Sequence, residues 1–124
     1  MDHGYITVAV RTAGGALPVE NAVVTVSDTA GNILYVVFTD RSGLTPTLKL
    51  AAPPKENSET PNMPGPAFFS YNVDTDRQGY RSVRNLSVPV YPGITSIQPV
   101  ELLPVPEGQT ESPAVFPENI APDL

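Results

Sequence analysis

The chain contains one histidine, His3, and no cysteine, which narrows its chemistry at once. A zinc peptidase needs several imidazole and carboxylate ligands converging on one ion, and a Ser-His-Asp relay needs an imidazole held in place. His3 lies where the chain is expected to fray, so no catalytic residue is assigned and no cofactor is expected. Asp74-Thr75-Asp76, followed by Gly79, sets two carboxylates two residues apart, and in a turn these can converge on a hard cation such as calcium. The full twelve-residue loop ending in Glu is absent, and a hairpin turn with solvated Asp76 and Arg77 explains the same residues. Asp74 and Asp76 therefore stand as metal candidates only. Five aromatics, Phe68, Phe69, Tyr71, Tyr80 and Tyr91, could stack on the apolar faces of a sugar. Period-two strands turn about half of them inward. This assigns Phe69, Tyr71 and Tyr80 to core or capping roles and leaves Phe68 and Tyr91 as the ligand-binding candidates.

The elements that would position these residues belong to a chain of 124 residues with 15 Pro and 9 Gly, and with 7 basic against 13 acidic side chains for a net charge of −6. That length fits one domain whose core can close without disulfide or metal staples. The five Arg (11, 41, 77, 81, 84) and two Lys (49, 55) are scattered instead of forming a stripe. A nucleic-acid partner is therefore not expected. No stretch approaches the roughly 20 apolar residues that cross a bilayer, so membrane insertion is not expected either. Met1-Asp2-His3-Gly4 has neither the basic nor the apolar region of a signal peptide, so as written the chain starts as a soluble polypeptide, and the sequence leaves export open.

Apolar residues recur at every second position through the first fifty residues, the pattern of half-buried strands. Ile6, Val8 and Val10 form one inward set and Ala22, Val24 and Val26 another. Gly14-Gly15 and Gly31-Asn32 mark turns. Ile33 to Thr39, apolar through its first six positions, predicts a central strand covered on both faces or one packed under a loop. Leu44 to Leu50 predicts a short edge strand, because Pro46 has no N–H to give a ladder. Residues 51–66 hold five prolines among polar residues and predict a long loop. Phe68 to Asp74 and Tyr80 to Val90 predict a hairpin, with Phe69, Tyr71, Val73, Val88 and Val90 inward. Ile94 to Leu103 predicts a last strand with Pro99 at an edge or bulge. Residues 104–124, with five prolines and four acidic residues, predict a flexible tail beyond a domain spanning 1–103. The fold class expected is all-β, a sandwich of seven strands (six to eight).

Gly4-Tyr5-Ile6-Thr7-Val8, Leu17-Pro18-Val19, Ala22-Val23-Val24-Thr25-Val26, Thr39-Asp40-Arg41-Ser42-Gly43, Leu48-Lys49-Leu50, Tyr71-Asn72-Val73 and Gly79-Tyr80 follow one another in an order that resembles the carboxypeptidase regulatory-like domain. The resemblance covers residues 4 to 103 and implies a prealbumin-like (transthyretin-like) Greek-key sandwich. Asn21 stands where many members have Gly. Tyr91 to Leu102 is similar to a segment of Firmicute proteins related to spore cortex-lytic enzyme precursors, in which such a domain accompanies peptidoglycan-acting modules. The resemblance thus implies a non-catalytic structural or binding module, accessory to peptidoglycan, spore cortex or cell envelope, with a glycan or protein partner. It places the chain in cytoplasm or forespore, or in association with the envelope.

Two activities of similar folds leave little trace here. A transthyretin-like hydrolase uses a His- and Arg-lined site and a C-terminal Tyr-Arg-Gly-Ser, whereas Tyr80-Arg81-Ser82 is internal, lacks the Gly and has no second His to join it. A Lys-Asn isopeptide bond needs a buried Lys, usually on the first strand, and that strand has none. The competing functional class is a protein-interaction or assembly subunit in which the Leu44 to Leu50 strand or the last strand pairs with another chain. The sequence leaves the oligomeric state open.

Overall fold

A computed structural model describes residues 2–55, 67–105 and 114–118, and among these there is no helix. Nine strands follow one another: β1 Asp2–Thr12, β2 Leu17–Pro18, β3 Val23–Asp28, β4 Ile33–Phe38, β5 Leu48–Ala52, β6 Phe69–Asp76, β7 Val83–Val90, β8 Thr95–Glu101 and β9 Ala114–Pro117. They form two sheets. In the first, β1 is central, antiparallel to β2 and β5 and parallel to β8; in the second the order is β4-β3-β6-β7-β9. The all-β sandwich is the fold the sequence predicts, with two short strands, β2 and β9, beyond the seven.

The core follows from side-chain alternation. Ile6, Val8 and Val10 of β1 are fully buried, and so are Ala22, Val24 and Val26 on the facing sheet. Val73, Val88, Val90, Val100 and Leu102 join them. Each such side chain contributes roughly 1.5–3 kcal/mol by leaving water. β-Branched residues dominate because they fit a pleated, half-buried surface with little loss of rotamer freedom.

Alternation alone does not carry through β7. Val83 and Asn85 face inward, and then Val88 and Val90 do, so the parity changes between them. The register with β6 shifts at the same place, and Ser87 has φ of +58°, with its N–H bonded to Asn72 Oδ1 at 3.1 Å. A bulge absorbs the extra residue and returns the inward set to the core. A second bulge sits where the chain enters β3, opposite the end of β4. Asn21, φ +61°, donates its N–H to Thr39 O, and Thr39 donates its own to Ala22 O, both at 3.0 Å. This is the bulge form that wants Gly or a tolerant residue in the left-handed region, and Asn serves. Thr39 also donates its hydroxyl to Val19 O at 2.7 Å and accepts from Ala22 N at 2.9 Å.

Several sequence expectations are corrected. The N-terminus is not frayed from Asp2 onward: Asp2 and His3 pair with Ala52 and Ala51, and His3 O accepts the Gly93 N–H at 2.8 Å. The predicted Leu44–Leu50 strand begins only at Leu48, because Pro46 lacks a donor and Thr45 instead bonds Val8 through both its N–H and its Oγ1, each at 3.0 Å. Residues 51 and 52 of the predicted loop belong to β5; residues 56–66 of it lie outside the described residues. Within the segment predicted as a tail, Ala114–Pro117 runs parallel to β7, while residues 106–113 and 119–124 lie outside the described residues. The largest correction concerns Ile33–Phe38. The sequence predicts a strand covered on both faces or packed under a loop, yet β4 is the outermost strand of its sheet, with Ile33 65%, Leu34 44%, Val36 55% and Phe38 58% exposed.

Candidate interaction edge and surface sites

Two sandwich edges meet beside β4 and β5, and they differ in how their backbone is treated. Tyr35 of β4 and Tyr71 of β6 cross from the second sheet to β5. The Tyr35 hydroxyl donates to Lys49 O at 2.8 Å and the Tyr71 hydroxyl to Ala51 O at 2.6 Å. Tyr71 is nearly buried, and this burial, with the Asp28 charge second, pushes its hydroxyl above the ordinary phenol pKa and keeps it a donor. The carbonyls of Lys49 and Ala51 are thus occupied, and the β5 edge is closed there. A groove of about 480 Å³ remains between the two strands, lined by His3, Leu34, Tyr35, Lys49 and Tyr71 among others.

The β4 edge has no such cover. Thr39 exchanges both backbone bonds with the Asn21-Ala22 bulge, so in an antiparallel ladder Val37 and Tyr35 turn their backbone groups toward β3, as Thr39 does. Val36 and Phe38 then turn theirs to the open side. Their side chains stand on the outer face, opposite Thr25 and Val23, while Tyr35 and Val37 pack against the core. A register shift between Val26 and Ser27 leaves Leu34 as the extra residue. Of the other edge strands, β2, β8 and β9 carry proline, Pro18, Pro99 and Pro117, and β5 carries the charge of Lys49. β4 has neither proline nor charge, although both are the usual means by which edges are protected from pairing.

The residues that the sequence singles out are distributed as follows. Phe68 and Tyr91 do come together, their ring centroids 5.4 Å apart and their planes tilted by 57°. Tyr91 is 36% exposed, and its carbonyl lies over Gly4, where a Cβ would approach it to 2.2 Å. Asp74 and Asp76 project from one face of β6, which runs on through Asp76 instead of turning there. Asp74 pairs with Arg84 at 3.2 Å, and the Ser82 hydroxyl bonds Asp76. Partial burial raises the Asp74 pKa, Arg84 lowers it, and Asp76 raises it further. Asp28 goes the other way: bonds from the Asn32 side chain and backbone, and from the Ala30 N–H, hold it below the usual carboxylate range. Among the described residues, no three His, Asp or Glu side chains gather to hold a metal ion. His3 is exposed on β1. Tyr80-Arg81-Ser82 is tied to the segment that follows β8, Arg81 N bonding Leu103 O at 2.9 Å.

A further groove, of about 560 Å³, lies beside β8 and β9 and is lined by Arg11, Asn85, Leu103 and Phe116 among others. Asn85 is buried and donates Nδ2 to Glu118 at 2.8 Å, and among the described residues its Oδ1 has no hydrogen-bond partner. The open β4 edge and the Asn85 groove were both missed by sequence reasoning. The edge has a signal, the uncharged apolar run, but such a run is equally the mark of a strand buried on both faces. The groove has none, because it depends on where β9 docks.

No family model matches the sequence, and no curated protein matches it. Solved structures do. The Bacillus anthracis TIE protein superposes with a TM-score of 0.54 at 17% identity, covering 84% of this chain and 17% of its own. The 3-chlorocatechol 1,2-dioxygenase of Rhodococcus opacus 1CP gives 0.55 at 15% identity, over 84% of this chain and 60% of the enzyme. GBS52, a minor pilin of Streptococcus agalactiae, gives 0.57 at 14% identity, over 90% of this chain and 48% of the pilin. The chain thus spans less than two thirds of each of these proteins. The likeness is one of fold, a β-sandwich in keeping with the prealbumin-like type that the sequence resembles.

Proposed function

We propose that this chain is a non-catalytic binding and assembly module, and that its working surface is the open edge of β4, which takes up an additional strand. The observation that carries the reading is the exposure of four large apolar side chains, Ile33, Leu34, Val36 and Phe38, on an uncharged outermost strand. Strand addition draws affinity from main-chain hydrogen bonds and selectivity from alternate side chains, and β4 offers both. Fold alone does not decide between activity and binding, since the same sandwich occurs in a dioxygenase and in a minor pilin. What favours binding is the exposed position of the chain's one imidazole. A soluble peptide carrying residues 31–40, titrated into the isotopically labelled chain, tests the reading: the Val36 and Phe38 amide signals should shift and gain protection. Shifts confined to other strands would remove it.

The setting at peptidoglycan or spore cortex is a finer proposal. It rests on the sequence resemblance, together with the surface pairing of Phe68 and Tyr91 as a surface for a sugar. Retention on purified cortex that is lost in Tyr91→Ala would support it, and no retention of the unaltered chain would withdraw it while leaving the β4 reading intact.

A further inference from the structure

The β4 edge is self-complementary, and we infer that its occupant is a second copy of this chain, joined antiparallel through β4 about a two-fold axis at Val37, so that Val36 of each copy lies opposite Phe38 of the other. This inference rests on the strand-addition reading above and names its partner. An antiparallel strand paired with its own copy brings like positions together, so the pairing is favourable only where like positions do not repel. The chain carries a net charge of −6, yet residues 29–39 contain no acidic or basic side chain, and β4 lies within them. This is a face on which two acidic molecules can meet without pressing carboxylates together.

The strand direction supplies the rest. With the axis at mid-strand, the open backbone groups of Val36 and Phe38 face the same groups of the copy and satisfy them reciprocally. On the outer face, Val36 and Phe38 become cross-strand neighbours of apolar residues, a favourable pairing on a pleated surface. The two sheets then run on as one, β9-β7-β6-β3-β4 continuing into the same order reversed.

The size of the surface sets the strength. Ile33, Leu34, Val36 and Phe38 together expose on the order of 400 Å² of apolar surface per copy, of which edge pairing covers only a part, so the joint falls below the roughly 1,200 Å² at which stable specific interfaces begin. The association is therefore weak and depends on concentration, a monomer–dimer equilibrium and not an obligate dimer.

Sedimentation of the full chain from micromolar to millimolar concentration tests the inference. The mass should climb from the 13.2 kDa monomer toward twice that value. Val36→Lys and Phe38→Lys, each at a solvent-exposed site that the monomer tolerates, should weaken the dimer at least about tenfold while leaving the circular dichroism unchanged. Ile97→Lys, equally exposed but on β8, should change it by less than about twofold. A chain that stays monomeric to millimolar concentration overturns the inference, as does a dimer that survives both β4 substitutions or is lost in Ile97→Lys. A monomer that still binds the residue 31–40 peptide through Val36 and Phe38 refutes the second copy but keeps strand addition. Failure of both experiments removes both readings.

Discussion

Removing one hydroxyl tests how the sandwich is fastened along its β5 side. In Tyr71→Phe the ring stays buried and only the bond to Ala51 O, 2.6 Å long, is lost. A neutral intramolecular hydrogen bond is worth about 1 kcal/mol net, and the loss should not reach the penalty of a fully buried orphan because Ala51 is partly exposed and water can reach its carbonyl. The expected cost is therefore about 1 kcal/mol, which for a domain of about a hundred residues lowers Tm by roughly 4 °C. The pH dependence gives a second reading. Burial raises the Tyr71 pKa above 10.0 in the folded chain, so its contribution is complete below pH 10.0 and is lost as pH rises through the folded value. The stability gap between the unaltered chain and Tyr71→Phe should close across that alkaline range. Urea unfolding followed at several pH values, with amide exchange of Leu48 to Ala52 as the local probe, measures both effects. An unchanged midpoint, or a gap that widens toward alkaline pH, would refute the claim that this hydroxyl ties the second sheet to β5.

Four other substitutions bear on the scaffold. Gly43→Ala should cost more than about 3 kcal/mol, since φ is +78° and the new Cβ would meet Val10 O at 2.4 Å; Gly14→Ala, at φ +67° in open space, should cost only about 1 kcal/mol in the same thermal assay. Thr39→Val should cost about 2–3 kcal/mol in urea unfolding, because it strands the buried Ala22 N–H and the Val19 carbonyl that the hydroxyl now joins. Asp74→Asn should lie within about 0.5 kcal/mol of the unaltered chain near neutrality, and slightly above it, since the Arg84 pair is half exposed and worth little. The sign follows from the raised pKa: stability from Asp74 is complete below 3.8 and falls as pH rises through the folded value, so the Asn variant's advantage should vanish in acid, as a pH series of thermal melts would show.

The parts of the fold legible in the sequence were those with local causes. Ile6, Val8 and Val10, or Val24 and Val26, alternate because one face of the strand is dry, and no distant contact is needed to read that. β4 was misplaced because six apolar residues in a row show only that water is unwelcome; whether a second layer or a partner covers them depends on a neighbour the sequence does not display. The change of parity in β7 was hidden because Ser87, a residue with no strong preference for positive φ, hosts the bulge. His3 and Ala114 to Pro117 were assigned to loose ends because their strand partners, Ala51 and Val83 to Leu86, are remote along the chain. Of the candidate surface residues, Phe68 and Tyr91 meet beside the Phe69–Val90 pair, at the end of the β6–β7 ladder away from its turn, whereas Asp74 and Asp76 stay on one strand face with separate partners, Arg84 and Ser82.

The claim on which the functional account rests is that β4 is an outer strand with its backbone open on one side. Amide hydrogen exchange, resolved by residue and repeated across a concentration series, addresses it directly. The account predicts that in dilute solution Tyr35 and Val37 exchange slowly while Val36 and Phe38 exchange quickly, and that the latter two become protected as concentration rises. Uniform protection from Ile33 to Phe38 at every concentration would instead mean a covered inner strand and would contradict the account.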